Sequence, residues 1–115
     1  MHEVSIANSI LEAARTEAQA RAGMRLTKIS VRIGELAGID PDALSFSFEA
    51  LVKETDLEKC ALEIEFLPQR HECADCGQRF VVADFETRCP KCGTAETTLI
   101  SGNELEFAHL EMEET

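Results

Sequence analysis

Two pairs of cysteines carry the strongest chemical signal in the sequence. Each pair has the spacing Cys-x2-Cys, and twelve residues separate the pairs: Cys73, Cys76, Cys89 and Cys92. Four thiolates form the tetrahedral donor set of structural zinc, with Zn–S distances of about 2.3 Å and no coordination position left open. A redox-active pair, an iron–sulfur site or two disulfides would use the same residues. The paired spacing favours Zn(2+) over these alternatives.

The residues around the cysteines indicate a compact metal-binding ribbon. Gly77 and Gly93 directly follow the second cysteine of each pair, and glycine accepts the positive φ that such tight turns need. Residues 79–82, between the pairs, are typical of a short strand. A ribbon of about 30 residues has too small a core to fold alone, so we expect zinc binding and folding to be coupled. The sequence therefore predicts a structural metal site, not a catalytic one.

The first three residues, Met1, His2 and Glu3, offer a second and different donor set. The Met1 amine, the His2 amide nitrogen and His2 Nδ1 can close adjacent five- and six-membered chelate rings. A fourth donor could come from Glu3, through its backbone amide or its carboxylate. Tetragonal nitrogen sites of this kind favour Ni(II) or Cu(II) over zinc. Taken alone, a histidine at position two is more often an ordinary terminal residue than a ligand.

Three further residues with reactive side chains lie outside these two sets. Cys60 precedes an apolar segment, which predicts a buried small hydrophobe instead of a reactive thiol. His71 lies two residues before Cys73, and we expect it to face solvent at the start of a strand, with an accessory ligand role as the alternative. His109 lies at the expected bulge of the last strand, and we assign it no functional role.

Hydrophobic periodicity predicts two helices. Apolar residues recur every three or four positions over residues 3–22, and Gly23 follows as a helix stop signal. Asp40 and Pro41 have the residue types of an N-cap and a first helical position, so they predict a second helix that ends near Thr55.

Alternating patterns predict three strands outside the ribbon. Residues 26–34 alternate between apolar and polar side chains, as expected for a strand with one buried face. Residues 61–67 alternate likewise, and we expect three of their side chains to point inward: Leu62, Ile64 and Phe66. A last strand begins near residue 104, and its alternation shifts near 108–109, which indicates a bulge.

The order of elements predicts an α+β fold class. A small three-stranded sheet with two helices forms one domain, and a zinc-ribbon domain is inserted into it. The last strand has no core of its own within the ribbon, so we expect it to return to the first sheet. The predicted limits are 1–68 and 102–115 for the α/β domain and 69–101 for the ribbon.

Charge and hydropathy exclude several classes of function. Twenty-two acidic and eleven basic residues give a net charge of −11, which repels nucleic-acid phosphates, and no Lys/Arg cluster offsets it. No apolar run approaches the roughly 18–20 residues that span a bilayer. The start also lacks the basic segment of a signal peptide. We therefore expect a cytoplasmic protein that binds neither nucleic acid nor membrane.

Three stretches together resemble one known family. The segments MHEVSIANSIL and IGELAGIDPDALSFSFE and the four-cysteine ribbon are similar to HypA/HybF, the nickel chaperones of NiFe-hydrogenase maturation. The resemblance covers nearly the whole chain. It implies a nickel-binding α/β domain and a zinc domain. The implied ligands of Ni(2+) are Met1 (by its amine), His2 and Glu3, and the implied ligands of Zn(2+) are the four cysteines.

The resemblance also implies partners. It implies that nickel is delivered, together with the nickel GTPase HypB, into the hydrogenase large subunit. Some relatives carry an additional histidine in a longer zinc-domain insert, whereas the twelve residues between the cysteine pairs contain none. The inserted ribbon and returning strand permit a domain-swapped homodimer without requiring one.

Two classes of function remain open. The preferred one is a metallochaperone with a weak, exposed and labile nickel site. The alternative is a zinc-ribbon interaction adaptor without transferable metal, or a nucleic-acid-binding ribbon, which the net charge disfavours. We do not expect an enzyme, because the sequence offers no open metal site, no nucleophile–base pair and no glycine-rich phosphate loop.

Overall fold

The computed structural model describes residues 2–115, apart from the side chain of His2. Two α-helices and six strands follow one another, with a 3₁₀ turn at Glu35–Ala37 after the first strand: α1 His2–Gln19, β1 Met24–Gly34, α2 Pro41–Val52, β2 Ala61–Leu67, β3 Arg70–Cys73, β4 Arg79–Val81, β5 Thr97–Ser101 and β6 Leu105–Glu114. One sheet has the order β2-β1-β6 and the other the order β4-β3-β5. The predicted α+β fold class, with β6 returning to the first sheet, is confirmed.

The described chain divides into two compact units. The helical unit comprises the residues up to Arg32 together with Ile39–Glu65 and Glu106–Thr115, and the ribbon unit comprises Ile33–Gly38 and Phe66–Leu105. The domain limits expected from the sequence, 1–68 with 102–115 and 69–101, stay a prediction. Neither helix within residues 2–115 combines the length and apolar content that crossing a bilayer would require.

The first helix buries one face and ends in a tightened turn. Its core-facing residues recur at helical spacing and are all buried: Ala7, Ile10, Leu11 and Ala14. The helix ends at Gln19, three residues before the predicted limit. The Ala20 and Arg21 amides there donate to carbonyls only three residues back, and Gly23 follows with φ 80°. The stop signal at Gly23 therefore acts through a short non-α turn.

The second helix begins as the sequence predicts. The Asp40 carboxylate accepts hydrogen bonds from the Asp42 amide at 2.9 Å and the Ala43 amide at 3.4 Å, and Pro41 is the first helical residue. The helix ends at Val52 instead of near Thr55 because Lys53 leaves the helical conformation, with ψ 131°, and Glu54 follows in the left-handed region, with φ 64°. Its buried side chains include Leu44 and Phe48.

Side-chain burial differs between the central and the edge strands. Ile29, Val31 and Ile33 of the central β1 are buried as predicted. The expectation that Phe66 of β2 points into the core is wrong, because its side chain is 47% exposed. β2 lies at the edge of the sheet, where a side chain has a neighbouring strand on one side only.

The predicted shift of alternation in β6 is observed. Phe107 and Leu110, three residues apart, line one cavity together with residues of α1. Glu106 reaches Arg32, and His109 reaches Ser30, on the other side of the strand. A regular strand would place residues three apart on opposite faces, so the alternation breaks between Phe107 and Leu110.

Ion pairs cross the sheet from β1 to both neighbouring strands. Each of three basic residues on β1 meets one or two glutamates: Arg25 with Glu113, Lys28 with Glu63 and Glu111, and Arg32 with Glu65 and Glu106. The partner numbers on β6 fall as the numbers on β1 rise, so these two strands run antiparallel. Exposed pairs of this kind contribute about 0–1 kcal/mol each, so the stability of the sheet depends chiefly on its apolar side chains.

A close backbone contact fixes the end of β1. The Gly34 amide donates to Glu104 O at 2.8 Å, and the Leu36 amide donates to Gly102 O at 2.6 Å. A Cβ atom on Gly34 would lie 2.1 Å from the carbonyl carbon and oxygen of Gly102. Only glycine fits this position.

We predict that Gly34→Ala lowers the free energy of unfolding by about 3 kcal/mol or more, because the backbone must separate to admit a methyl group. Gly38→Ala is the matched control, since Gly38 has φ 72° and no neighbouring atom within 4 Å of a built Cβ. Its cost is only the left-handed backbone penalty, about 1–2 kcal/mol. Urea denaturation measures both variants, and equal losses would contradict the steric explanation.

Candidate metal sites

The four predicted cysteines lie together in the ribbon unit. Their sulfur atoms all lie within 4.8 Å of one another. Cys73 Sγ is 3.4 Å from Cys92 Sγ, and Cys76 Sγ is 3.6 Å from Cys89 Sγ. All five cysteines of the chain fall within the described residues, and none forms a disulfide. The predicted clustering is therefore confirmed, and the two-disulfide alternative is not what the structure contains.

Both cysteine pairs sit on the same kind of turn. In the first, the Cys73 amide donates to Gln78 O at 2.9 Å, and the Gly77 amide donates to Cys73 O at 3.0 Å. In the second, the Cys89 amide donates to Thr94 O at 3.0 Å, and the Gly93 amide donates to Cys89 O at 2.8 Å. The two glycines have φ 75° and 77°, with open space where a Cβ would lie. Glycine is required here for its positive φ, as the sequence predicts.

The sulfur cluster fits a zinc ion. A tetrahedral site with Zn–S distances of about 2.3 Å separates its sulfur atoms by about 3.8 Å, close to the spacing of the two nearest pairs. The group of candidate donors contains four cysteines and no histidine or carboxylate. Cys73 and Cys89 are each only 2% exposed. Four thiolates complete the coordination of zinc, so such a site has no open position for a substrate.

The thiols influence one another strongly. Burial opposes ionisation of Cys89, but hydrogen bonds from the Cys92 and Lys91 amides lower its pKa to about 7. The Thr94 amide acts to lower the pKa of Cys92, but hydrogen bonding to Cys73 and burial raise it to about 12. One thiolate therefore forms readily, and further thiolates beside it need a cation to offset their repulsion.

His71 is the clearest failure of the sequence prediction. Instead of facing solvent, its side chain is buried at 9% exposure and lies beside Phe80, with ring centroids 6.2 Å apart. Its Nδ1 lies 2.9 Å from Thr97 Oγ1, and its Nε2 lies 3.1 Å from Gln69 Nε2.

The partners of Thr97 and Gln69 settle the tautomer of His71. The Thr97 hydroxyl donates to Thr87 O, so it accepts from His71 Nδ1–H, and Nε2 accepts from the Gln69 amide. With both nitrogens engaged, His71 supports the ribbon without joining the sulfur cluster. The sequence did contain a signal for this burial: His71 and Cys73 are two residues apart, so a strand places them on the same face, and Cys73 is buried.

The two remaining candidates behave differently. Cys60 is buried as predicted, and burial raises the pKa of its thiol, which makes it a poor nucleophile. His109 is exposed, and its Nε2 lies 3.2 Å from both Ser30 Oγ and Glu111 Oε2. Two contacts on a single ring nitrogen do not form a catalytic relay.

The amino-terminal candidates are described only in part. Met1 and the side chain of His2 lie outside the described residues. The backbone of α1 begins at His2, so His2 and Glu3 belong to its first turn. The Glu3 carboxylate accepts a hydrogen bond from the Asp40 amide, with Oε2 3.4 Å from the nitrogen. Glu3 therefore connects the beginnings of the two helices.

We predict that Cys73→Ala and Cys89→Ala lose zinc and the amide-exchange protection of β3–β5, since three thiolates close the site poorly. The matched control is Cys60→Ala, which removes a buried thiol outside the cluster and should retain zinc. Metal analysis and hydrogen exchange measure both effects. If the metal-free and zinc-loaded proteins have equal protection in β3–β5, zinc does not hold the ribbon together.

Comparisons with known proteins agree with this arrangement. A family model described as "Hydrogenase/urease nickel incorporation, metallochaperone, hypA" matches residues 1–112. The chain is 41% identical over 113 residues to the hydrogenase maturation factor HypA of Geobacter metallireducens, covering 98% of this chain and 100% of the relative. It is 42% identical over 116 residues to that of a Roseiflexus species, covering 99% and 94%.

Solved structures give the same result. The solution structure of the Ni metallochaperone HypA from Helicobacter pylori superposes with a TM-score of 0.64 at 25% identity, covering 98% of each chain. A second HypA solution structure has a TM-score of 0.68 at 27% identity, covering 98% of this chain and 97% of the other. With its sulfur cluster, its fold and its sequence in agreement over nearly its full length, the chain belongs to the HypA family.

Proposed function

We propose that this chain is a nickel metallochaperone that binds Ni(II) at its amino terminus. It delivers the ion, together with the GTPase HypB, to the large subunit of NiFe-hydrogenase. Family membership supports the role in nickel incorporation. The observation that carries the assignment of the site is the start of α1 at His2.

The start of α1 leaves backbone nitrogens available for a metal. The first four N–H groups of a helix have no intrahelical acceptor. Because α1 begins at His2, the amides of His2 and Glu3 can lose their protons to a metal without breaking a helical hydrogen bond. The Met1 amine and the His2 imidazole complete a nitrogen-rich set, which suits Ni(II). The positive end of the helix dipole opposes a bare cation, and anionic amide nitrogens reduce that cost.

For Glu3, we assign the backbone amide as the donor in preference to the carboxylate. One carboxylate oxygen already accepts a hydrogen bond from the Asp40 amide. Binding nickel through this carboxylate would compete with that contact between the two helix starts. The backbone nitrogen carries no such conflict.

The second metal has a different role in this proposal. Cys73, Cys76, Cys89 and Cys92 hold zinc, which supplies a fixed crosslink between the two cysteine turns. Two of these ligands are buried, and the donor set is complete. Zinc therefore stays with the protein, while nickel at the chain terminus exchanges its ligands stepwise and can be passed on.

The proposed partners are those that the family resemblance implies. The sequence has no glycine-rich phosphate loop, so we assign GTP hydrolysis to HypB and no catalytic activity to this chain. A net charge of −11 favours basic docking surfaces. We place the protein in the cytoplasm and retain 1–68 with 102–115 as the nickel-binding domain and 69–101 as the zinc-ribbon domain.

We predict that two different lesions weaken nickel binding equally. His2→Ala removes the imidazole, and a tag fused before Met1 converts the amine into an amide. Each opens one chelate ring, so each should weaken binding by about 100-fold or more, which is ~2.7 kcal/mol. Nickel titration calorimetry on the zinc-loaded protein measures this effect. Affinity should also fall as pH falls, because every proposed donor must first lose a proton.

The matched control for the amino-terminal lesions is His109→Ala, which removes an exposed histidine far along the chain and should leave nickel affinity unchanged. Zinc content should stay the same in all variants. A tagged protein that binds nickel as tightly as the untagged one would refute the terminal-amine site. The nickel donors would then have to be sought at His71, His109 or the carboxylates.

We predict that Glu3→Gln retains nickel affinity within about threefold, or ~0.7 kcal/mol, because it keeps the backbone donor and a side-chain oxygen facing Asp40. The same titration measures the change. A loss as large as that of His2→Ala would instead assign the carboxylate as a ligand.

A further inference from the structure

A cavity of about 470 Å³ opens at the end of α1, within the helical unit. Its lining includes apolar side chains such as Ala18 and Leu26, and three arginines: Arg15, Arg21 and Arg25. The whole chain has only eleven basic residues against twenty-two acidic ones. Three guanidinium groups around one cavity therefore depart from the charge of the chain as a whole.

One carboxylate offsets part of this positive charge. Asp56 accepts hydrogen bonds from both terminal nitrogens of Arg15, at 2.9 and 3.2 Å, and this guanidinium holds the pKa of Asp56 below its ordinary value. Arg25 is paired with Glu113, whose carboxylate is not part of the cavity lining. With three arginines and one aspartate, the lining has an excess of two positive charges.

Arg21 has the guanidinium most available to a ligand. Its side chain is exposed, and the ion pairs found within residues 2–115 do not involve it. A guanidinium presents five N–H donors in a planar fork that matches the oxygens of a phosphate or a carboxylate. Arg21 can therefore bind an anion without breaking an existing ion pair.

The carbonyl groups at the end of α1 do not oppose an anion in this cavity. The last carbonyls of a helix carry partial negative charge when they are free. Here Ala18 O accepts from the Arg21 amide at 3.0 Å, and Arg21 O accepts from the Met24 amide at 3.2 Å. Gly23 O accepts from the amide and the hydroxyl of Thr115, at 2.9 and 3.0 Å. The arginine side chains therefore determine the charge that a ligand meets.

We propose that this cavity binds a small polyanion with at least two oxyanion groups, phosphate or carboxylate, on a short body. Two such groups match the excess of two positive charges, and guanidinium groups bind both kinds of oxyanion. The cavity volume lies in the range of small-molecule sites, roughly 300–1,000 Å³. The lining contains no aromatic side chain to stack on a base, so it does not favour a nucleotide.

The first arm of the test titrates the zinc-loaded, nickel-free full chain with inorganic pyrophosphate and follows its NMR signals. The amide signals of cavity residues such as Ala22, Gly23 and Leu57 should shift until they saturate. Arg21→Gln should weaken binding about tenfold or more, because it removes charge-assisted hydrogen bonds. Arg25→Gln should weaken it about threefold, since Glu113 already engages that guanidinium.

The matched control is Arg79→Gln in the ribbon unit. It removes another exposed arginine and changes the net charge equally, so it should leave pyrophosphate affinity unchanged. Arg21→Gln should also keep the thermal midpoint and the zinc content of the parent chain, because Arg21 is exposed. If Arg21→Gln and Arg25→Gln both bind pyrophosphate as the parent does, the arginines do not form a site, and the proposal is overturned.

The second arm repeats the titration with succinate, which carries two carboxylates, and with acetate, which carries one. Tighter binding of pyrophosphate than of succinate assigns phosphate as the natural group, and the reverse order assigns carboxylate. Acetate should bind more weakly than both, because it engages a single group. No saturable binding of either dianion up to about 10 mM overturns the proposal, as do equal losses in Arg21→Gln and Arg79→Gln. Nickel takes no part in these titrations, so their failure leaves the proposed function standing.

Discussion

Mutual repulsion among four closely spaced sulfur atoms is the constraint on which the ribbon unit depends. The three strands of the ribbon have only four, three and five residues. Outside the cysteines, its buried side chains are few: Ile33, His71 and Val82. Thiolates this close together repel one another unless a cation lies between them. We therefore expect zinc to take the place of a larger hydrophobic core, so that metal binding and folding of the ribbon are coupled.

Hydrogen bonds of the buried His71 also hold the ribbon unit together. The part-buried hydrogen bonds of His71, from Gln69 to Thr97 and on to Thr87, join three parts of the ribbon.

Donor chemistry separates the two metals that the account requires. Sulfur donors in a closed tetrahedral set suit zinc, whereas the nitrogen donors proposed at the start of α1 suit nickel. In the proposed function, retention and release thus depend on different residues.

Features that depend on a few neighbouring residues were predictable from the sequence. The burial of individual side chains was harder to predict. The cysteine spacing, the two glycine turns and the Asp40 cap depend on a few neighbouring residues, and all three were predicted correctly. The shift in β6 was also readable, because the apolar alternation itself breaks there. His71 and Phe66 were misjudged because burial depends on what packs against a strand, which residue order alone does not give.

The most direct test of the separation of the two metals is X-ray absorption at the nickel K-edge, on the untagged zinc-loaded protein with one equivalent of Ni(II). The account predicts a first shell of nitrogen and oxygen donors, with imidazole scattering that disappears in His2→Ala. The zinc edge should report four sulfur donors before and after nickel addition. A nickel–sulfur distance in the first shell, or loss of sulfur from zinc, would contradict the account by placing the cargo on the cysteines.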